Sequence, residues 1–476
     1  MIPEAVRQEL LAAVGPRGLL DQPQDLRLYE YDGGVDKARP GVVVFPRSAE
    51  EAAAVARIAH KHKIPLVGRG AGTGLSGGAI PRYGGIMVVF SRMNRILEID
   101  LENERAVVEP GVVNLELTNA VAPMGYFFAP DPSSQKACTI GGNVAENAGG
   151  PHTLIYGVTV NHVLGLEAVL PDGRVIQTGA AWPDAPGYDL TGLLTGSEGT
   201  LALITKAIVR LMRKPEAVKT FLAIYDSADD CAATVSEITA RAITPAALEM
   251  LDGTLLRMVE EATHAGYPLD AAGVLLIELE GMEEAVDEQA AQIRQACEAC
   301  RAREFRTARS AQERDLLWKG RKNAFGAIGR VSPFFYVHDG VVPRTQIAPT
   351  LRAIGAIGGR YDLTISNIFH AGDGNMHPII LFDARKPGDI EKAQRAGFEI
   401  LEHCVNAGGS ITGEHGIGME KIDLMARQFD PETLELMRRL KEAFDPAQIF
   451  NPGKLLPGRG CAEIRQPPLA RPEDLL

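Results

Sequence analysis

The chain has 476 residues, with 49 lysines and arginines against 61 aspartates and glutamates, so its formal net charge is −12 at pH 7. This length predicts two or more domains with buried cores, because one domain typically holds about 100–200 residues. The acidic surplus, without a long basic run, argues against a nucleic-acid-binding protein and a polybasic membrane anchor. The longest apolar stretches fall short of the ~20 residues that a membrane-spanning helix needs, so we expect a cytoplasmic protein.

The first 215 residues alternate short, β-branched strands with helices. A helix is predicted over 49–61, because the segment is rich in alanine and Ser48 is a suitable N-cap. Pro171-Asp172-Gly173 predicts a tight turn between two strands. A second helix is predicted over 115–124, and the predicted strands cover 42–45, 65–67, 86–90, 96–100, 106–109, 164–170, 175–178 and much of 200–213.

The composition changes after Pro215, where helices rich in alanine and glutamate begin. Helices are predicted over 228–240, 283–303, 311–327 and 431–444, and strands over 275–280 and 334–342. The change indicates a domain boundary near residue 216. We therefore predict a helical lead-in over 1–37, a first domain over 38–216, a second domain over 217–456 and a peripheral tail over 457–476.

A glycine-rich loop, Val-Gly-Arg-Gly-Ala-Gly-Thr-Gly-Leu-Ser-Gly-Gly at 67–78, follows a predicted strand. Glycine permits positive φ and lets backbone N–H groups converge on an anion, so the loop suits a diphosphate. It lacks the Lys-Ser/Thr ending of a Walker loop and does not match a Rossmann fingerprint. A flexible loop without a ligand is the alternative interpretation.

Two further patches combine glycine with amides and hydroxyls, one over 130–151 and one over 195–200. The order and the amino-acid sequences of the three patches resemble those of the FAD-binding domain of the vanillyl-alcohol oxidase (PCMH-type) flavoprotein superfamily. The resemblance implies an α+β fold, in which this domain precedes an α+β substrate domain with an antiparallel sheet and a C-terminal helical segment. The FAD would be bound without a covalent link, since 67–81 contain no histidine or cysteine. The residues that the resemblance assigns to FAD are Gly68, Arg69, Gly70, Gly72, Thr73, Gly74, Gly77, Gly78, Pro130, Ser133, Gly141, Gly142, Asn147, Gly149, Gly150, Glu198 and Gly199.

Histidines and acids cluster in two motifs near the C-terminus, His-Ala-Gly-Asp-Gly-Asn-Met-His at 370–377 and Gly-Glu-His-Gly-Ile-Gly at 413–418. His370, His377 and Glu414 form a common ligand set for zinc, manganese or iron. His415 could then act as a general base, since imidazole titrates near neutral pH. Each histidine could instead be an ordinary hydrogen-bonding residue, and spacing alone does not force the assignment.

These two motifs resemble the metal-dependent D-2-hydroxyacid dehydrogenases of the same superfamily. Residues 321–325, 332–333, 339–340, 451–454 and the ending around 461–463 extend the likeness over nearly the whole chain, and they resemble one group of that family, the FAD-linked subunits of bacterial glycolate oxidases. The resemblance implies that His370, His377 and Glu414 bind the metal, that His415 is the base and that Arg321 binds the substrate carboxylate. Arg321 could also lie on a solvated helix face. Residues 336–339 lack the lysine that hydroxyglutarate enzymes carry there, which favours a small substrate.

The resemblance implies oxidation of glycolate to glyoxylate, with D-lactate as the alternative substrate. It also implies partner subunits: a second FAD-domain-like chain and an iron–sulfur chain that passes electrons to quinone. Such partners could hold the protein at the inner face of the cytoplasmic membrane. The alternatives from other classes are a metal hydrolase with a phosphate-bearing substrate and a flavin electron carrier without a substrate site.

Overall fold

The computed structural model describes residues 2–182 and 186–458, so the predicted tail beyond residue 458 lies outside the described residues. The chain divides into two compact units. Unit 1 contains residues up to 149, 158–214 and the described residues from 414 onward, and unit 2 contains 150–157 and 215–413. The division at Pro215 is one residue from the predicted boundary, whereas residues 414–456, predicted for the second domain, belong to unit 1.

Helices and strands alternate through much of the described chain. The α-helices are α1 Glu4–Val14, α2 Pro23–Leu26, α3 Ala49–His62, α4 Asn114–Val121, α5 Ile140–Glu146, α6 Thr153–Tyr156, α7 Leu190–Leu194, α8 Ala228–Ala240, α9 Gly253–Thr263, α10 Glu283–Ala299, α11 Ala311–Lys322, α12 Ala324–Val331, α13 Ile347–Tyr361, α14 Asp389–Asn406, α15 Met425–Gln428 and α16 Pro431–Phe444. The strands are β1 Leu19–Leu20, β2 Val42–Val44, β3 Leu66–Arg69, β4 Ile86–Val89, β5 Ile96–Asp100, β6 Arg105–Val108, β7 Tyr126–Phe127, β8 Val163–Val169, β9 Val175–Gly179, β10 Leu203–Arg210, β11 Met212–Arg213, β12 Ala217–Tyr225, β13 Ala247–Asp252, β14 Gly273–Gly281, β15 Glu304–Thr307, β16 Phe334–Val337, β17 Gly340–Val341, β18 Thr364–His370 and β19 Asn375–Phe382.

The first sheet of unit 1 has the order β1-β2-β4-β3, with β2, β4 and β3 parallel. Helix α3 links β2 to β3 and buries its alanine-rich face. The hydroxyl of Ser48 accepts a hydrogen bond from the Glu51 N–H at 3.3 Å, which satisfies one of the open donors at the start of the helix. The glycine-rich loop leaves this sheet at the end of β3.

The second sheet of unit 1 is antiparallel, with the order β5-β6-β10-β8-β9. Strands β8 and β9 form the predicted hairpin, closed by a hydrogen bond from the Gly173 N–H to the Leu170 carbonyl at 2.8 Å. Helix α5 and this sheet share one apolar core, which includes Ile140, Val144 and Ala207. This packing fixes the second predicted patch on the sheet.

Unit 2 is built on one antiparallel sheet with the order β15-β12-β14-β13-β18-β19-β16, and β17 pairs with β19. The predicted α+β class and the antiparallel sheet of the second domain are therefore confirmed. The helix predicted over 311–327 is two helices in the structure, α11 and α12, separated at Asn323. Among the described helices, none is both long and apolar enough to cross a bilayer.

Candidate active site

The glycine-rich loop turns back sharply after β3. Gly72 has a φ of +72°, and a Cβ there would lie 2.1 Å from the guanidinium of Arg69, so a side chain cannot be accommodated. That guanidinium donates to the carbonyl of Tyr31 at 2.7 Å. A Cβ at Gly74, in contrast, would meet no atom within 4 Å. The loop therefore borders open space with backbone alone, as a cradle for a diphosphate requires.

Unit 1 brings the three glycine-rich patches together. A Cβ at Gly70 would lie 2.4 Å from the hydroxyl of Thr139, so the first loop is packed directly against the start of α5. The N–H of Glu198 donates to the carbonyl of Ala145 at 2.8 Å, which joins the third patch to the end of the same helix. Residues assigned to FAD from all three patches thus surround one part of unit 1, and only Gly150 belongs to unit 2.

Glu198 holds the segment that carries the predicted base. Its two carboxylate oxygens accept hydrogen bonds from the N–H groups of Ile417 and Gly418, both at 2.7 Å. Glu198 itself has a φ of +52°, an uncommon conformation for a residue with a side chain. Its carbonyl accepts from the Asn451 amide at 2.6 Å, and that amide also donates to the carbonyl of Gly78 at 2.9 Å. The C-terminal segment is therefore tied to both the first and the third patch.

Buried charges lie beside these loops. A Cβ at Gly416 would lie 2.6 Å from the Glu146 carboxyl and 2.8 Å from that of Glu198, so two acids flank one glycine. Burial, together with the neighbouring Glu198, raises the pKa of Glu146 well above its ordinary value. Burial lowers the pKa of Lys454 to about 8, although the nearby acids oppose the shift. The electrostatic surroundings of this part of unit 1 are thus strongly perturbed, which is common at functional sites.

The predicted base and one predicted metal ligand are neighbours in unit 1. The Nε2 of His415 lies 3.6 Å from an oxygen of Glu414, and both side chains are largely buried. The carbonyl of His415 accepts a hydrogen bond from the Ser76 hydroxyl at 2.9 Å. Ser76 belongs to the glycine-rich loop, so the backbone of the predicted base is anchored on the predicted flavin loop.

The other two predicted metal ligands share one face of a hairpin in unit 2. His370 on β18 pairs with Asn375 on β19, and His377 lies two positions after Asn375 on β19. Their imidazole centroids are 5.2 Å apart. The Nδ1 of His377 lies 3.1 Å from the carbonyl of His338, and that of His370 lies 2.7 Å from a carboxylate oxygen of Glu249. Both contacts place the proton on Nδ1, so the lone pair that can bind a metal is on Nε2.

Arg321 is buried, not on a solvated helix face. It lies near the end of α11 with 3% of its surface exposed, and its Nε donates to the second oxygen of Glu249 at 2.5 Å. Burial raises the pKa of Glu249, but the charges and hydrogen bonds of Arg321 and His370 outweigh it, so the pKa lies below its ordinary value. Sequence reasoning missed Glu249, whose only signal was one acid inside an apolar strand.

The segment that leads to Glu414 is fixed within unit 2 as far as Gly413. The buried carboxylate of Asp339 accepts from the Thr412 hydroxyl at 2.9 Å and from the Gly413 N–H at 3.0 Å. A Cβ at Gly413 would lie 2.6 Å from the amide of Asn375, so a side chain here would displace that amide. Asp373 lies in the tight turn between β18 and β19, where its N–H donates to the His370 carbonyl at 3.1 Å.

The donor set suits the two groups that the motifs imply. Two imidazoles with their Nδ1 protons already directed at acceptors are ligands for zinc, manganese or iron, and a carboxylate is a suitable third ligand. In unit 1, the glycine-rich loop offers backbone beside open space at Gly74, which suits a nucleotide cofactor. The candidate residues thus fall into a loop cluster that belongs to unit 1 and a histidine–arginine cluster that belongs to unit 2.

Comparison with known families defines the class of protein. Residues 40–179 match the family model described as an FAD binding domain, and residues 214–455 match the model for the C-terminal domain of FAD linked oxidases. The chain therefore belongs to the FAD-linked oxidase family, and it is a flavin-dependent oxidoreductase. The predicted FAD-binding domain and the predicted family are confirmed.

Individual relatives place the chain within this family. The glycolate oxidase subunit GlcD of Escherichia coli K12 is 46% identical, over 94% of this chain and 90% of that protein. The subunit of the same name from Bacillus subtilis 168 is 42% identical, over 96% of this chain and 97% of that protein. A D-lactate dehydrogenase of Archaeoglobus fulgidus is 36% identical, over 87% of this chain and 91% of that protein.

Solved structures share the fold at low sequence identity. A p-cresol methylhydroxylase with bound substrate superposes with a TM-score of 0.81 at 20% identity, covering 95% of this chain and 96% of that one. An alkyldihydroxyacetonephosphate synthase gives a TM-score of 0.74 at 18% identity, covering 95% of this chain and 85% of that one. These comparisons support the predicted PCMH-type fold.

Proposed function

We propose that this chain oxidises a small D-2-hydroxy acid, and that glycolate, which becomes glyoxylate, is its main substrate. The observation that carries the proposal is the buried cluster of unit 2, in which Glu249 contacts both Arg321 and His370. A guanidinium for a carboxylate and imidazoles for a metal suit a substrate that carries a carboxylate beside a hydroxyl. The relatives named glycolate oxidase and D-lactate dehydrogenase act, by their names, on substrates of this kind.

The candidate site residues have separate roles in the proposed reaction. Arg321 binds the substrate carboxylate through its terminal nitrogens, because its Nε is occupied by Glu249. His415 receives the proton of the substrate hydroxyl. His370, His377 and Glu414 would hold a divalent metal, which would supply Lewis acidity for that hydroxyl. The glycine-rich patches would hold FAD without a covalent bond, and FAD would supply the acceptor for the hydride from the carbinol carbon.

We also propose that the electrons leave through partner subunits. The two GlcD relatives are named as subunits, which supports an assembly with further chains. A second FAD-domain-like chain and an iron–sulfur chain would carry the electrons to quinone, and would hold the protein at the inner face of the cytoplasmic membrane.

A substrate panel tests the proposed specificity. Turnover of the purified holoenzyme with an artificial electron acceptor is measured for glycolate, D-lactate, L-lactate and D-2-hydroxyglutarate. We expect a higher kcat/KM for glycolate and D-lactate than for D-2-hydroxyglutarate, because one arginine matches one carboxylate. Glycolate should give the highest value, as the names of the GlcD relatives indicate. A preference for D-2-hydroxyglutarate would contradict the small-substrate proposal, and a higher value for D-lactate would reassign the main substrate.

A further inference from the structure

Glu249 lies at the centre of the buried cluster of unit 2, on the strand β13. It pairs directly with His370 of the neighbouring strand β18, so the two side chains leave the same face of the sheet. The side chain of Glu249 is fully buried. Taking a carboxylate out of water is strongly unfavourable unless hydrogen bonds and opposite charges offset the loss of hydration. The partners of Glu249 must therefore offset its burial.

The two oxygens of Glu249 have separate partners. Oε1 lies 2.7 Å from the Nδ1 of His370, and Oε2 accepts from the Nε of Arg321 at 2.5 Å. Since an ionised carboxylate only accepts hydrogen bonds, the proton of His370 is fixed on Nδ1 and the lone pair on Nε2. The contact with Nε likewise fixes the plane of the Arg321 guanidinium, whose outer edge carries the two terminal nitrogens.

Arg321 is held in place from the helix side as well. A Cβ at Gly320 would lie 2.6 Å from the ring of Tyr267, so α11 approaches this ring closely only because residue 320 is glycine. The hydroxyl of Tyr267 donates to the carbonyl of Leu317 at 2.6 Å. The backbone that carries Arg321 is thus fixed, and Glu249 determines where the guanidinium points.

We infer that Glu249 is a positioning residue that orients His370 for the metal and Arg321 for the substrate carboxylate at the same time. The inference rests on the proposed function and deepens it, because one carboxylate would couple metal binding to substrate binding. Loss of Glu249 should weaken both, without any direct contact between Glu249 and the reacting atoms.

The chain offers a matched control in Glu278, on the adjacent strand β14. It is also fully buried, and it also pairs with an arginine of α11: Arg314 donates to its two oxygens at 2.7 and 2.9 Å. Its further partners are Trp318, whose Nε1 donates at 2.8 Å, Thr220, and His152, whose Nε2 lies 3.3 Å from an oxygen of Glu278. Substitution of Glu278 therefore removes a buried carboxylate from the same helix–sheet interface without removing a partner of His370 or Arg321.

The test compares Glu249→Gln, Glu249→Ala and Glu278→Gln with the wild type in the holoenzyme. Glutamine keeps the shape of the side chain but has only one acceptor oxygen, so it cannot satisfy both His370 and Arg321. Metal affinity is measured by titrating the chelator-treated proteins with Zn²⁺ and Mn²⁺, and KM and kcat are measured with glycolate. Loss of an outer hydrogen-bond partner of a metal ligand typically costs about 10–100-fold in affinity.

For Glu249→Gln we expect either weaker metal binding or a higher KM for glycolate. For Glu249→Ala we expect both effects. Glu278→Gln should retain the metal affinity and the KM of the wild type. Wild-type metal affinity together with wild-type KM in Glu249→Gln would overturn the inference. If the wild-type protein binds neither ion, the proposed metal centre is refuted, and so is the inference that Glu249 orients His370 for a metal. If that protein still oxidises glycolate normally, the substrate assignment survives. Thermal melting separates all of these outcomes from misfolding.

Discussion

Two histidines of one hairpin owe their orientation to different acceptors. His377 is oriented by the backbone carbonyl of His338, a neutral group that substitution of a side chain does not remove. His370 is oriented by the Glu249 carboxylate, a charged acceptor that also raises the basicity of the imidazole. His415 has a third kind of support, because Ser76 binds its carbonyl and leaves the orientation of its side chain to other contacts.

Replacement of His415 by alanine should abolish turnover and retain the flavin. The loop keeps its shape, since Glu198 holds the N–H groups of Ile417 and Gly418 and Ser76 holds the carbonyl of residue 415. A lost general base typically lowers kcat by about 10²–10⁴-fold. Steady-state kinetics with glycolate give kcat, and the visible flavin spectrum is the control for cofactor content. Turnover close to that of the wild type would show that another group takes the proton.

At the scale of elements, helix α11 contacts two buried carboxylates that lie on neighbouring strands. Arg314, Trp318 and Arg321 follow each other at spacings of four and three residues, so they share one face of α11. Arg314 and Trp318 reach Glu278 on β14, and Arg321 reaches Glu249 on β13. Ion pairs therefore fix this helix to the sheet at two points, and its position along the sheet places Arg321 beside Glu249.

The ion pair of Glu278 should make the stability of the protein depend on pH. Burial raises the pKa of Glu278, but Arg314 and His152 together hold it far below its ordinary value. Because the unfolded chain binds the proton first, this stabilisation is complete well above the unfolded pKa of about 4.3, begins to decline near that value and is lost as the pH falls towards the lower pKa of the folded protein. Glu278→Gln should therefore melt at a lower temperature at pH 7, and its melting temperature should fall less steeply than that of the wild type between about pH 5 and 3.

The expected loss at neutral pH is about 3 kcal/mol, at the low end for a broken buried pair, because the side chain of Arg314 is 37% exposed. Thermal melting of wild type and variant across this pH range measures both effects. Parallel curves for the two proteins would show that Glu278 does not titrate differently in the folded and unfolded states.

At the scale of the whole molecule, features that depend on local sequence could be predicted. The N-cap at Ser48 and the turn at Pro171-Asp172-Gly173 both lie where their residues indicate. The families of both halves also follow from their motifs, as the matches over 40–179 and 214–455 confirm.

Features that depend on distant contacts could not be predicted. Glu249 and His370 are 121 residues apart, and no local pattern in 247–252 indicates that its acid is buried against an imidazole. The same holds for 414–456, which follow unit 2 in sequence but belong to unit 1 through contacts such as that of Asn451 with Gly78. The break between α11 and α12 at Asn323 was missed because Ala324 and Ala327, both helix-favouring, continue the helical pattern beyond it.

Anaerobic titration of the purified flavoprotein with glycolate tests the central claim most directly. If the chain itself oxidises small 2-hydroxy acids, the visible absorbance of its flavin will bleach without any partner subunit, and glyoxylate will form in proportion to the flavin reduced. Arg321→Lys, which keeps the charge but not the planar fork, should need more glycolate for the same bleaching. A flavin that stays oxidised with both glycolate and D-lactate, in protein that carries FAD and metal, would contradict the account.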